Sequence, residues 1–154
     1  MSNQSSGKPK PPLSQTRHKA RHYAMQGLYQ WQMSGTAIHV IEEQFRADYD
    51  MSKVDVHYFH DLLDGVAANL AELQELFVPL LDRELKELDQ VETALLRLGS
   101  YEMLKRTDVP YKVVINEAVG LAKKFGAADS HKYVNSILDK LARKIRTTEI
   151  DAEA

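Results

Sequence analysis

An all-α fold follows from three observations. Apolar residues recur at helical spacing along most of the chain, helix caps and breakers punctuate that pattern, and no stretch alternates convincingly as a half-buried strand would. Residues 14–146 read as one compact helical domain of six to seven helices. A basic, proline-rich tail over residues 1–13, with nothing to bury, is expected to be disordered, and a polar acidic tail over residues 147–154 is expected to fray.

The elements follow in order. Ser14 and Thr16 are candidate caps for a first helix from about Arg17 to Met33, whose inward stripe is Ala20, Ala24, Leu28 and Trp31; Ser34-Gly35 ends it. A second helix runs from about Ala37 to Tyr49 with Ile38, Ile41 and Phe45 on one face. A third starts near Val54, and Phe59, Leu62, Leu63, Val66, Leu70, Leu73 and Phe77 keep its period as far as Pro79, which must end or kink it. A short helical piece is expected between Pro79 and Leu88. Asp89 with Glu92 three residues on is a capping box, opening a helix with Val91, Ala94, Leu95 and Leu98 inward and its end near Arg106. Beyond the break at Pro110, Val113–Phe125 is helical with Gly126 as its C-terminal stop. Asp129-Ser130 then starts the last helix, striped by Val134, Ile137, Leu138 and Leu141. The β-branched run Tyr111–Ile115 has no partner run elsewhere and makes a poor sheet.

Composition excludes several function classes. The 154 residues (17.5 kDa) are 44% hydrophobic and 27% charged, which suffices for a single core without staples. The absence of cysteine removes disulfides, thiol nucleophiles and Cys-ligated metals, and it fits a reducing cytoplasm. No run of about 18 apolar residues is present, so no membrane span is expected, and the N-terminus lacks a signal-like apolar stretch. The net charge of −2 is unevenly spread. Residues 1–41 hold Lys8, Lys10, Arg17, Lys19 and Arg21 and no acid, so the remainder carries −7: a basic end on an acidic body, able to attract a polyanion locally.

No catalytic constellation emerges. There is no Gly-rich phosphate loop, and Ser130-His131, about 100° apart on a helix, form no dyad. His18/His22 and His57/His60 have metal-ligand spacing, but neither pair sits in a metal-binding signature and both read more simply as solvated helix faces; no metal or cofactor is expected. The cluster Arg17-His18-Lys19-Ala20-Arg21-His22 at a helix start is the best functional signal. Cations there oppose the helix dipole, a local conflict typical of function, and the positive helix end favours anions. Tyr23 and Tyr29 on the same helix are candidate platforms for RNA bases, or half-buried core.

Five segments carry a resemblance: ARHYAMQGLYQWQ (20–32), VDVHYFHDLLDGV (54–66), LDQVETALLRLGSYEM (88–103), DVPYKVVINEAVGLAKKFG (108–126) and DSHKYVNSILDK (129–140). Over about residues 14–146 the chain resembles the NusB family of bacterial transcription antitermination factors. The resemblance implies two three-helix subdomains, no catalysis, and a heterodimer with NusE, a small-subunit ribosomal protein. That heterodimer would bind single-stranded boxA RNA and act with other Nus factors on RNA polymerase, chiefly on ribosomal RNA operons. It also implies RNA contacts at Arg17, His18, Lys19, Arg21 and Tyr29, further ones at Asp129, Ser130, Lys132 and Tyr133, and a partner or RNA contact at Glu92. His18-Lys19 replaces the family's usual consecutive arginines, which implies weaker intrinsic RNA affinity. Two other readings compete: an accessory module of the kind fused to RNA methyltransferases, although no cysteine nucleophile or cofactor loop is present, and a helical scaffold that binds proteins only.

Overall fold

The computed structural model describes residues 11–153. Among the described residues eight α-helices follow one another: α1 (Leu13–Ser34), α2 (Ile38–Asp48), α3 (Val56–Ala68), α4 (Leu70–Phe77), α5 (Gln90–Lys105), α6 (Tyr111–Phe125), α7 (Ser130–Ile145) and α8 (Thr147–Glu153). Single 3-10 turns cover Val78–Leu80 and Leu85–Glu87, and no strand occurs among the described residues.

The 22 residues of α1 span about 33 Å. Ala20, Ala24 and Leu28 on it are fully buried, and it lies against α2 and α3 on one side and α5 and α6 on the other. It is therefore the spine shared by two groups of three helices, α1–α2–α3 and α5–α6–α7, with α4 leaning on α5 and α7. Phe59, Leu62, Leu63, Phe77, Leu95, Leu96 and Leu138 fill the space between them with no exposure. Each such side chain contributes about 1.5–3 kcal/mol of burial.

Boundaries depart from the sequence pattern where side chains override periodicity. Helix α1 begins at Leu13, after Pro12, so Thr16 caps nothing and its hydroxyl donates to the Leu13 carbonyl (3.1 Å). The expected long third helix breaks at Asn69, whose side-chain amide and backbone N–H both donate to the Gly65 carbonyl (2.8 and 3.0 Å). Gly35 has φ +72°, a left-handed conformation that favours glycine, and its N–H closes α1 on the Trp31 carbonyl. Gly126 ends α6 for a different reason: it is extended, and a Cβ there would sit 2.8 Å from the Ala122 carbonyl oxygen and 2.9 Å from Ser130 Cβ.

Residues 147–153, expected to fray, form α8. Glu149 accepts from the free backbone N–H of Tyr111 at the start of α6 (2.9 Å) and from Arg146 (2.6 Å), and Glu153 accepts from the Tyr111 hydroxyl (3.1 Å). Arg146, 6% exposed, donates to the carbonyls of Glu102, Met103, Arg106 and Val109, which closes the end of α5 and the turn into α6. The expected basic tail at 1–13 falls largely outside the described residues; Leu13 is already helical.

Candidate nucleic-acid interface

The basic start of α1 splits into two populations. Arg21, expected on the RNA side, is only 3% exposed. Its Nε donates to both Glu102 oxygens (3.0 Å each) and its Nη2 to Glu102 Oε2 (2.9 Å); Tyr58 donates its hydroxyl to the same carboxylate. Burial and the Glu102 charge both push the Tyr58 hydroxyl well above its ordinary pKa. This is a structural ion pair. Arg17 is largely absorbed as well: it pairs with Asp108 (3.3 Å) and Asp55 (3.7 Å) and lies 4.4 Å from the centre of the Tyr58 ring, which Arg106 approaches at 4.8 Å. Arg106, with help from Arg17, lowers the Asp108 pKa to about 2.

The exposed population faces outward. His18 Nδ1 donates to Glu117 (2.8 Å), while Lys19 is exposed with no carboxylate partner among the described residues. Tertiary structure adds cations that the sequence pattern did not connect. Lys53, from the α2–α3 loop, lines a groove with His18 and Lys19. Lys124, at the end of α6, reaches His22 Nδ1 (3.4 Å). Burial, then the charges of Lys124, Lys19 and His18, hold the His22 pKa below its ordinary value. Lys53 and Lys124, like Lys19, have no ion-pair partner among the described residues. The cations thus run from the α2–α3 loop across the first turns of α1 to the end of α6. Lys123 and Lys124 also stand in the last turn of α6, where a positive charge favours the helix end.

An aromatic groove of about 610 Å³ adjoins this strip. Phe125, 5.2 Å from the His22 ring, lines it together with Tyr29, Met33, Phe45, Tyr49 and Val91. Tyr29 is 40% exposed there. Tyr23 packs against His22 and Tyr49 instead (5.2 and 4.9 Å), so it supports the wall.

The remaining candidates gather beyond Val91, where α5 and α7 start together. Ser130, 1% exposed, donates its one hydroxyl proton to Glu92 (2.9 Å), with an Asp89 oxygen 3.3 Å away. The other Glu92 oxygen accepts from the Asp89 N–H (3.2 Å), so Glu92 is committed to the capping box and to α7. Asp129 makes no side-chain cap bond; its carboxylate is 86% exposed and 3.7 Å from Lys132. Tyr133 donates to Asp82 (3.0 Å), and Arg83 lies 4.4 Å from the centre of its ring. Asp129 and Lys132 therefore face outward, whereas Ser130 and Glu92 hold the two helix starts together. No His/Asp/Glu metal cluster occurs among the described residues, and no helix there is long and apolar enough to cross a membrane.

Comparison with known proteins decides the family. A sequence model of the NusB family matches residues 18–143. The chain belongs to the NusB family. It is 61% identical over 137 residues to the transcription antitermination protein NusB of Saccharophagus degradans, covering 88% of this chain and 91% of that protein. It is 58% identical to that of Teredinibacter turnerae, covering 89% and 94%. Among solved structures, NusB of T. maritima superposes with a TM-score of 0.75 at 30% identity over 88% of this chain and 93% of that one. A chain from a crystal structure of antitermination factors NusB and NusE in complex with dsRNA shares the fold at TM-score 0.70 and 23% identity, over 82% and 96%. The relatives' names describe a regulatory role in transcription, and this NusB-family chain spans nearly their whole length.

Proposed function

We propose that the chain is a non-catalytic RNA-binding adaptor. With a NusE-type small-subunit ribosomal protein it binds boxA-type single-stranded RNA. In the cytoplasm, with other Nus factors and RNA polymerase, it promotes processive antitermination, chiefly of ribosomal RNA operons. The observation that carries this reading is the strip of carboxylate-free cations, Lys53, Lys19 and Lys124, lying beside the aromatic groove. The names of the relatives support it. Cations recruit the phosphate backbone while Tyr29 and Phe125 offer faces for unstacked bases. Arg17 and Arg21 act here as scaffolding that ties the start of α1 to Asp55, Asp108 and Glu102, and Asp129 stands exposed at the start of α7 as a repulsive charge.

The test is a titration of boxA and scrambled RNA at several salt concentrations, with and without the NusE-type protein. Single-strand binding loses about 0.7 in log–log slope for each phosphate contact removed. Lys19→Gln with Lys124→Gln flattens the slope by about 1.4 while leaving the fold intact. The partner protein raises the preference for boxA over scrambled RNA, because a phosphate-reading surface alone is weakly selective. An unchanged slope in the folded double variant refutes the assignment and leaves a protein-only scaffold.

A further inference from the structure

Seven of the eight arginines pair with a carboxylate, at nitrogen–oxygen distances of 2.6 to 3.3 Å. Arg97, on α5, is the exception among the described residues. Its Nη2 donates to Gln74 Oε1 (2.8 Å), its Nε is buried without a partner, and its guanidinium carbon lies 5.8 Å from the centre of the Trp31 ring. Burial lowers its pKa and no anion offsets that cost. A guanidinium presents five N–H donors in a fork shaped for a carboxylate, so a half-buried one with a single neutral acceptor is under-satisfied.

A second orphan lies beside it. Gln32 Nε2 donates to the Gln90 carbonyl and side chain (2.9 Å each), which leaves Gln32 Oε1 buried with no donor. Arg97 and Gln32 line one groove of about 510 Å³ between α1, the Leu85–Glu87 turn and α5. It therefore holds one unmatched donor, Arg97 Nε, and one unmatched acceptor, Gln32 Oε1, together. A carboxylate that arrives with a neighbouring N–H, as an acidic side chain on a polypeptide does, satisfies both; a phosphodiester brings acceptors only. Charge points the same way. Residues 82–92, which form one wall, hold five acids against two bases, so they repel a polyanion and attract a basic protein surface.

We infer that this groove is the docking socket for an Asp or Glu side chain on an otherwise basic surface of a partner protein, with Arg97 forking onto the carboxylate and Gln32 Oε1 taking an N–H from the same segment. The inference rests on the reading that the chain works with a NusE-type ribosomal protein, and it names where that protein's acid enters. The socket is lined by residues separate from those of the cation strip.

The experiment titrates the full chain with its NusE-type ribosomal protein, and separately with boxA RNA, at low and high salt, with melting curves for every variant. Arg97→Gln weakens partner affinity about 30-fold, as expected when one member of a desolvated charge pair is removed, and leaves RNA binding by the chain alone unchanged. Arg97→Lys restores little, because an ammonium lacks the fork. Arg97→Glu recovers affinity with one Asp→Arg or Glu→Arg variant of the partner. A folded Arg97→Gln chain that binds the partner as tightly as wild type overturns the inference and leaves the proposed function standing. Loss of RNA binding with unaltered partner binding overturns it in favour of an RNA groove. Failure of the wild-type chain to bind the partner, with RNA binding retained, overturns both readings. If Arg97→Gln melts early, Gln32→Leu decides: weaker partner binding supports the socket, and unchanged binding refutes it.

Discussion

Neutralising Glu102 removes the counter-ion of Arg21. In Glu102→Gln the guanidinium stays 3% exposed, loses its full counter-charge and one of the two oxygens that accept its three N–H contacts, and meets an NH2 donor in that oxygen's place; the Tyr58 hydroxyl at 3.5 Å and a Glu117 oxygen at 3.7 Å do not replace the lost charge. Removing one partner of a buried pair costs about 3–5 kcal/mol, a large share of the roughly 5–15 kcal/mol that holds a domain together. At about 2–4 °C per kcal/mol for a chain of this size, the melting temperature falls by about 6–20 °C. Arg21→Met should cost a comparable amount, because it leaves the buried Glu102 charge with only the Tyr58 hydroxyl as donor. The double variant Arg21→Met/Glu102→Met leaves no buried charge and should recover much of the loss, since an apolar replacement of a whole pair is often neutral. The assay is urea denaturation of the four proteins, read as a double-mutant cycle. Additive losses, with no recovery in the double variant, refute the claim that these two side chains act as one buried unit. A Glu102→Gln protein as stable as wild type refutes it directly.

Other consequences can be measured on the same preparations. Ser130→Ala should destabilise by about 1.5–3 kcal/mol, because its hydroxyl donates a charge-assisted bond to Glu92 where α5 and α7 start together. Asp129→Asn should leave the melting temperature unchanged, since Asp129 makes no cap bond, and should tighten RNA binding severalfold at low salt by removing a repulsive charge; unaltered affinity places Asp129 away from the RNA. The His60 pKa is raised, first by its hydrogen bond to Glu42 and further by Asp64, against burial and Arg46. Its contribution is present in full below its unfolded pKa of about 6.5 and is lost as pH rises through the folded value, so wild type should lose stability relative to His60→Gln over that window. For an exposed pair the difference is at most about 1 kcal/mol; a pH-independent difference in chemical denaturation refutes it.

The helical architecture was legible because the apolar stripes and breakers agree with the packing: Ala20, Ala24 and Leu28, or Val134, Ile137, Leu138 and Leu141, all reach the core. The site was legible only in part. Charge marks the start of α1, but charge alone does not give depth, and Arg21 was assigned to the surface. The missed signal was geometric: Arg21 precedes Ala24, Met25 and Leu28 by three, four and seven residues, which puts it on the buried face, where it needs an acid. Lys53 and Lys124 joined the cation strip only through tertiary packing. Asn69 broke a periodic run with a side-chain bond to Gly65, and Glu149 turned a polar tail into α8 by answering a distant helix start; neither device leaves a mark in hydropathy.

Arg146 also sets an order of events during synthesis. The four carbonyls to which it donates belong to residues 102–109, around forty residues upstream, so the α5–α6 turn leaves the ribosome long before the side chain that closes it. At about 5–20 residues per second that interval is about 2–8 s. Through it the corner of the nascent chain holds its polar backbone open to water, and α6 and α7 emerge onto a frame that is not yet locked. A protein truncated just before Arg146 would remain in that unfinished state, with every fully buried core residue present and the final clasp missing.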